Sequence, residues 1–184
     1  MTLNRSLLLL TTFGALVLPV ATAQADATWS GASTTTTNWS DSTNWSDAPP
    51  TGSTDTLTFP ELGSCSTCYT SGNDLPGVSA TSLVLGNTTW KTQYVITGNP
   101  FTVGTGGISD AAGGGTGDVI KAPIALSGSQ TWVVGTTVSN GYNSLTLLGG
   151  VKGGSGDAVT ISTPNGDLFV DSDMEAGPVT SEGF

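Results

Sequence analysis

The motif that could most directly do chemistry in this sequence is Cys65-Ser66-Thr67-Cys68. A Cys-x-x-Cys pair is redox-active when it opens a helix in a βαβ unit, because the helix N-terminus lowers the thiol pKa. No helical pattern surrounds this pair. Zinc would need two further ligands, and the chain has no histidine and no other cysteine. The pattern therefore favours a structural disulfide between Cys65 and Cys68, as is usual in exported proteins.

Carboxylates are the remaining catalytic candidates, since the absence of histidine removes most acid–base and triad chemistry. The stretch Asp171-Ser172-Asp173 with Glu175 is a close acidic cluster near the end of the sequence. Such groups could cleave a glycan or bind calcium through their oxygens. The cluster lacks the repeated Gly-Gly-x-Gly-x-Asp pattern of calcium-binding β-rolls, so a solvated loop is favoured. We therefore predict no catalytic residue, no cofactor and no metal site.

Exposed aromatic side chains could instead stack on sugar rings. Large aromatics are usually well buried, which favours a core or capping position for most of them. Trp90, between Thr89 and Lys91, is the best candidate for an exposed glycan contact. The aromatics considered for such a platform are Trp29, Trp39, Trp45, Trp90 and Trp132, assisted by Tyr69, Tyr94 or Tyr142.

The elements that would position these residues are short β-prone runs, most of which end at a glycine. Glycine provides the positive φ at which a chain changes direction. Runs this short suit a solenoid, in which each strand pairs with its equivalent one turn away. The runs are Ser82–Leu85, Tyr94–Thr97, Phe101–Val103, Ile124–Ser127, Thr131–Val134, Leu145–Leu148, Ala158–Ile161 and Leu168–Val170.

A β-sandwich built from hairpins is the alternative fold. It should show two-residue turns such as Asn-Gly between its strands. Asn140-Gly141 and Asn165-Gly166 are the only such pairs, which is weak support. We therefore predict an all-β solenoid.

Charge and the first 25 residues bear on location and partners. The net charge is −10, with four lysines and arginines in all, so nucleic acid and anionic membrane surfaces are unfavourable partners. Residues 1–25 read as a signal peptide, with an apolar stretch at Ser6–Val20 and a small-x-small site at Ala23-Gln24-Ala25. No later stretch approaches the roughly 20 apolar residues of a membrane span. We expect a protein that is secreted or held at the cell surface.

The N-terminal block is the most distinctive part of the sequence. It reads Thr28-Trp29-Ser30-Gly31, Asn38-Trp39-Ser40, Asn44-Trp45-Ser46, Pro49-Pro50-Thr51-Gly52 and Asp55-Thr56-Leu57-Thr58-Phe59. With the runs downstream, it resembles bacterial secreted proteins that carry autotransporter-associated β-strand repeats. The resemblance covers most of residues 28 to 162. It implies a right-handed parallel β-helix on the bacterial surface or secreted, usually within a longer chain, and it carries no catalytic residue onto this sequence.

The resulting domain prediction has four parts. Residues 1–25 are the signal peptide, 26–60 an N-terminal cap, 61–77 a Cys-containing loop, and 78–184 solenoid rungs that continue in a longer protein. The tryptophans of the cap would cover the open end of the stack. Their spacing of six would let Trp39 and Trp45 face one side if the chain between them is extended.

Two functions follow as hypotheses. The first is a non-catalytic structural or adhesive surface protein, whose partner is a surface glycan or a host or matrix component. The alternative is a carbohydrate-binding module or a β-helix polysaccharide lyase. A row of exposed tryptophans would favour sugar binding, and carboxylates with a lysine in a groove would favour a lyase. A sealed stack with buried aromatics would favour the structural role.

Overall fold

The computed structural model describes residues 25–63, 65, 67–86, 93–110, 117–135 and 143–182, and within them the fold is all β, as predicted. A single 3-10 turn lies at Ser42–Asn44, and no described helix is long and apolar enough to cross a membrane. The strands are β1 (Ala27–Thr28), β2 (Ser53–Pro60), β3 (Thr70–Asn73), β4 (Ser79–Gly86), β5 (Val95–Gly98), β6 (Phe101–Asp110), β7 (Asp118–Ile120), β8 (Ile124–Leu126), β9 (Gln130–Val134), β10 (Asn143–Leu147), β11 (Val151–Lys152), β12 (Val159–Ser162), β13 (Gly166–Val170), β14 (Met174–Glu175) and β15 (Val179–Glu182).

The named strands pair in parallel, each with its equivalent one turn away. Ladder 1 is the five-stranded sheet β3-β5-β7-β10-β13. The ten-stranded sheet divides at β6, whose first half pairs with β8 and whose second half pairs with β9. Ladder 2 therefore contains the first halves of β2, β4 and β6, then β8, β11 and β14. Ladder 3 contains β1, the second halves of β2, β4 and β6, then β9, β12 and β15.

The chain visits ladders 1, 2 and 3 in that order on each turn, which makes a β-solenoid of about four turns. The right-handed sense of the coil stays a prediction, in line with the strong preference of parallel crossovers for that hand. Residues 53–60 of the predicted cap form β2, which pairs with β4 as a strand of the stack. Residues 70–73 of the predicted loop form β3 in ladder 1.

The core runs up the axis of the coil. Leu57, Leu83, Ile108 and Trp132 occupy equivalent positions on successive turns of ladder 3, and each is at most 1% exposed. They are 26, 25 and 24 residues apart, so the turns are nearly equal in length. Because side chains alternate along a strand, each buried residue is flanked by outward-facing ones.

Glycine sets some of the corners, as predicted. Gly98 ends β5 with φ +101°, and a Cβ there would lie 2.2 Å from the Asn73 carbonyl oxygen on the turn below. Only a residue without a side chain permits that approach. Gly86, Gly104 and Gly149, which also follow predicted runs, do not have positive φ, so the prediction is wrong for these three corners. Gly86 and Gly104 lie in strands instead.

Candidate functional site

The repeated Asn-Trp-Ser-Asp block folds into an aromatic cap. Trp39 and Trp45 are 0% and 4% exposed, and their rings meet edge to face at 5.7 Å. The Trp45 indole nitrogen donates a hydrogen bond of 2.8 Å to the Trp39 carbonyl. The chain between them is not extended, because Asp41 accepts a hydrogen bond from the Thr43 amide and starts the 3-10 turn at Ser42–Asn44. The two tryptophans meet because the chain turns back.

Polar residues of the same block fix the cap in place. The buried Asn44 side chain donates to the carbonyls of Thr36 and Asn38 at 3.0 and 3.1 Å. The Ser40 amide and hydroxyl both donate to the Asp74 carboxylate, just beyond β3. Burial of Asp74 opposes its charge, but the hydrogen bonds from Ser40 lower its pKa below the usual value. The cap is therefore tied to ladder 1 by a charge-assisted contact.

The aromatic cluster continues from the cap into the coil. Trp29 meets Trp45 edge to face at 5.1 Å and donates a hydrogen bond of 2.8 Å to the Cys68 carbonyl. Trp29 and Trp132 are 1% and 0% exposed, so neither they nor the other cap tryptophans offer a surface for a sugar ring. Trp90, the predicted glycan contact, lies outside the described residues. The remaining rings of the cluster are Phe59, Tyr69, Tyr94 and Phe101.

Cys65 and Cys68 form a disulfide with their Cα atoms 5.5 Å apart, which confirms the predicted pair. An open groove of about 590 Å³ separates this loop from the segment 34–37. Its lining consists of threonine and serine hydroxyls, the disulfide, an amide and small or aromatic side chains. None of these groups is an acid or a base near neutral pH, so the groove can donate and accept hydrogen bonds without transferring protons.

The acidic residues near the chain end lie in solvent, as predicted. Asp171, Asp173 and Glu175 are all exposed, and Glu175 pairs with Lys152 at 3.9 Å. An exposed pair at that distance contributes little to stability. Within the described part of the chain, no three histidine, cysteine, aspartate or glutamate side chains lie close enough together to hold a metal.

A polar pocket that the sequence did not reveal lies inside the coil, at the corner between ladders 3 and 1. Asp110 ends β6, Asp118 begins β7 and Asn143 begins β10, and all three are at most 1% exposed. The Asn143 side-chain nitrogen donates to Asp110 Oδ1 at 2.9 Å. The Tyr94 amide donates to Asp118 Oδ1 at 2.8 Å. We refer to Asp110, Asp118 and Asn143 together as the corner pocket.

In the corner pocket, the pKa of Asp118 differs from that of an ordinary aspartate. Burial and, to a lesser extent, the negative charge of Asp110 together raise the pKa of Asp118 to about 8, although the hydrogen bond from the Tyr94 amide opposes both. Burial also raises the pKa of the Tyr94 phenol. Two carboxyl groups are thus buried close enough for the charge of one to raise the pKa of the other.

A sequence pattern could have pointed to this pocket. Asp110 and Asp118 are the first and last residues of the glycine-rich stretch DAAGGGTGD. Both aspartates also stand two residues from a buried apolar position, Ile108 and Ile120. The alternation of strand side chains then turns all of them inward.

Comparisons with known proteins do not assign this chain to a family. No protein-family model matches the sequence, and no curated protein or solved structure is significantly similar to it.

Proposed function

We propose that this chain is a non-catalytic structural and adhesive β-solenoid that is secreted or held at a bacterial surface. The sequence resemblance to proteins with autotransporter-associated repeats and the signal-peptide pattern support the location. The sealed aromatic core supports the structural part, because large rings buried along the axis hold neighbouring turns together. A solenoid of this kind presents extended, regular surfaces to partners.

The observation that carries the adhesive part is the outward face of ladder 3. Across β2, β4, β6, β9 and β12, its side chains form two columns, read across the strand registers, of small hydroxyl and β-branched residues with one glycine, and these ten residues carry no charge. Such side chains lose little rotamer freedom when a partner covers them. The first column contains Thr56, Ser82, Gly107, Thr131 and Thr160, and the second contains Thr58, Val84, Ser109, Val133 and Ser162.

Over these five strands, ladder 3 differs in charge from the other two faces. Ladder 1 exposes Lys121 next to its strand β7 and Asp167 on β13, and ladder 2 exposes Lys152 and Glu175. On a chain with net charge −10, a surface of ten uncharged residues differs from its surroundings. We infer that its partner is uncharged, since charged partners would be steered by the other faces.

Adhesion of beads coated with the full chain tests this proposal. The beads are presented with insoluble neutral polysaccharides and with matrix proteins. A double variant, Thr131→Lys with Thr160→Lys, charges ladder 3, and Thr146→Lys with Thr102→Lys is the matched control on ladders 1 and 2. We expect only the ladder 3 variant to lose adhesion, by about tenfold. Equal loss in both variants would show that the effect is one of net charge.

Sugar binding through Trp90 is the second candidate. Because the other candidate tryptophans, Trp29, Trp39, Trp45 and Trp132, are buried, this function now depends on one ring. A glycan array with the wild type and Trp90→Ala decides it, after circular dichroism has shown that both have β structure. Specific glycan binding that disappears in Trp90→Ala would show that the binding surface is at Trp90 and not on ladder 3.

A further inference from the structure

The disulfide between Cys65 and Cys68 joins two residues that are only three apart in the sequence. In the chain-entropy account of disulfides, a cross-link that closes so short a loop restricts the unfolded chain less than one that closes a long loop. Its contribution should therefore lie mainly in the folded protein, where it fixes the shape of the chain at Cys68.

Residues 29–31 of the aromatic cap lie directly on Cys68. The indole nitrogen of Trp29 donates a hydrogen bond of 2.8 Å to the Cys68 carbonyl, and Trp29 is 1% exposed. Gly31 has φ +57°, and a Cβ there would lie 2.7 Å from the same carbonyl oxygen and 2.8 Å from the Cys68 Cβ. The backbone and the side chain of Cys68 are thus both part of its contact with the cap.

Trp29 connects this contact to the rest of the cap. Its ring meets Trp45 edge to face at 5.1 Å, and Trp45 in turn meets Trp39 at 5.7 Å. An indole has a single N–H, so a buried Trp29 that loses the Cys68 carbonyl would keep an unsatisfied donor. A displacement of Cys68 would therefore weaken the cap at Trp29.

The disulfide can be reached by a reductant from solution. Cys65 and Cys68 are only partly buried, and both line the open groove of about 590 Å³. A thiolate of a dithiol attacks one sulfur, the S–S bond breaks, and the second thiol of the reagent resolves the mixed disulfide. Two electrons and two protons pass to the protein, which gains two thiols, and the dithiol becomes a disulfide.

We propose that the Cys65–Cys68 disulfide is a redox-sensitive latch on the aromatic cap. While the latch is closed, it holds the Cys68 carbonyl against the Trp29 indole and the Cys68 side chain against Gly31. Reduction by a dithiol frees Cys68 to move, and the cap loosens at Trp29.

The competing account is that the chain at Cys68 keeps its shape without the disulfide. The next residue, Tyr69, is 2% exposed, and its ring meets Tyr94 at 4.7 Å. The Tyr69 hydroxyl also accepts a hydrogen bond of 2.7 Å from the Leu62 amide. If these contacts alone hold Cys68, reduction leaves the cap unchanged.

Urea unfolding of the full chain, with and without dithiothreitol, tests the proposal in the wild type and in Trp29→Phe. Reduction should lower the wild-type midpoint by about 0.5 M. It should lower the midpoint of Trp29→Phe by about half of that or less, because this variant lacks the hydrogen bond that the latch protects. The control is Cys65→Ser with Cys68→Ser, whose midpoint should match that of the reduced wild type and should not respond to dithiothreitol.

Two outcomes of the unfolding experiment would overturn the proposal. Equal losses in the wild type and in Trp29→Phe would show that the disulfide is a simple cross-link that acts independently of the cap. No loss in either protein, once a thiol assay has shown that the disulfide is reduced, would show that Tyr69 holds the chain at Cys68 without it.

A measurement on the wild type alone does not depend on the folding of a variant. In a ¹⁵N–¹H spectrum, the indole signal of Trp29 should shift on reduction. The indole of Trp132, which donates to Gln130 Oε1 at 2.7 Å inside the coil, should keep its position. Unchanged signals of both tryptophans in the reduced protein would overturn the proposal, and so would the loss of both, since that would mean general unfolding.

Discussion

At the scale of single residues, a few buried polar groups distinguish this coil from a purely apolar stack. Asn44 holds the cap by hydrogen bonds to backbone carbonyls, and Asn143 holds the Asp110 carboxylate. Trp45 satisfies its indole nitrogen on the Trp39 carbonyl, whereas the buried indole nitrogen of Trp39 has no hydrogen-bond partner. This difference between two tryptophans in the same sequence setting has a measurable consequence.

Replacing each tryptophan by phenylalanine should separate packing from hydrogen bonding. Trp45→Phe removes ring volume and a hydrogen bond and leaves the Trp39 carbonyl unsatisfied, so it should cost about 1–3 kcal/mol more than the packing loss alone. Trp39→Phe removes ring volume but also an unsatisfied donor, so it should be the milder change. Urea unfolding of both variants measures the difference. A larger loss for Trp39→Phe would contradict the assignment of these hydrogen bonds.

The buried Asp118 predicts that the stability of the protein depends on pH. Its pKa of about 8 in the folded state exceeds the unfolded value of about 3.9, so folding takes up a proton between these values. The contribution of protonated Asp118 to the free energy of unfolding is fully present below pH 4. It is lost as the pH rises towards 8, by at most about 1.4 kcal/mol per pH unit. The groups facing Asp118 are the Asp110 carboxylate and the neutral Tyr94 phenol.

Urea midpoints at pH 5, 6, 7 and 8 measure this slope. The window lies above the lowered pKa values of Asp41 and Asp74, whose contributions are lost only at more acid pH. Asp118→Asn should flatten the slope, because the amide does not titrate. If the midpoint of the wild type changes with pH no more than that of Asp118→Asn, or if it rises with pH, Asp118 is ionised in the folded protein.

At the scale of elements, the sequence predicted most of the longer strands, with β2 as an exception, and missed most of the short ones, although β8 was predicted. Apolar runs such as Ser82–Leu85 stood out because alternate residues are buried. β7, β11 and β14 have two or three residues each, too few for an alternation to be recognised, and they form because a strand on the turn below is already there to pair with. Their position follows from the stack, which local sequence does not encode.

Corner glycines are the second feature at this scale, and two of them can be compared directly. Gly98 and Gly77 both have positive φ, but an added Cβ at Gly98 would meet the Asn73 backbone, whereas at Gly77 it would meet open space. Gly77→Ala should cost about 1–2 kcal/mol, from backbone strain alone. Gly98→Ala should cost about 2–6 kcal/mol, because strain and overpacking add. Thermal unfolding of both variants checks this, and equal costs would show that the turns can move apart.

The candidate sites were less predictable than the strands. The disulfide and the buried cap tryptophans followed from residue type, since an exported Cys-x-x-Cys pair and large aromatics have strong preferences. The corner pocket was not predicted, because Asp110 and Asp118 stand at strand ends beside a glycine-rich stretch, and their two-residue spacing from Ile108 and Ile120 indicates an inward direction only if the strands extend that far. That direction is set by the register with the neighbouring turns.

At the scale of the whole molecule, the two ends of the coil are built differently. The first turns are covered by the aromatic cap, whereas in the last described turn Phe169 is 53% and Val179 48% exposed. Leu168 and Val170 are only partly buried there. The stability of the coil should therefore decrease from the cap towards this turn.

Hydrogen exchange should make that gradient visible. Amides of β4, which is paired on both sides in the middle of the stack, should exchange through global unfolding. Amides of β13 and β15 should exchange much faster, through opening of the last described turn. Uniform protection along the chain would mean that the coil opens only as a unit.

The difference between the ends also gives the coil an order of assembly during synthesis. The cap and the first strands leave the ribosome first, and each later turn finds its partner in the turn just completed, about 25 residues earlier. Among the described strands, each one from β4 onward pairs with a strand that has already been made. The coil can thus fold by adding each new turn to a turn that has already folded.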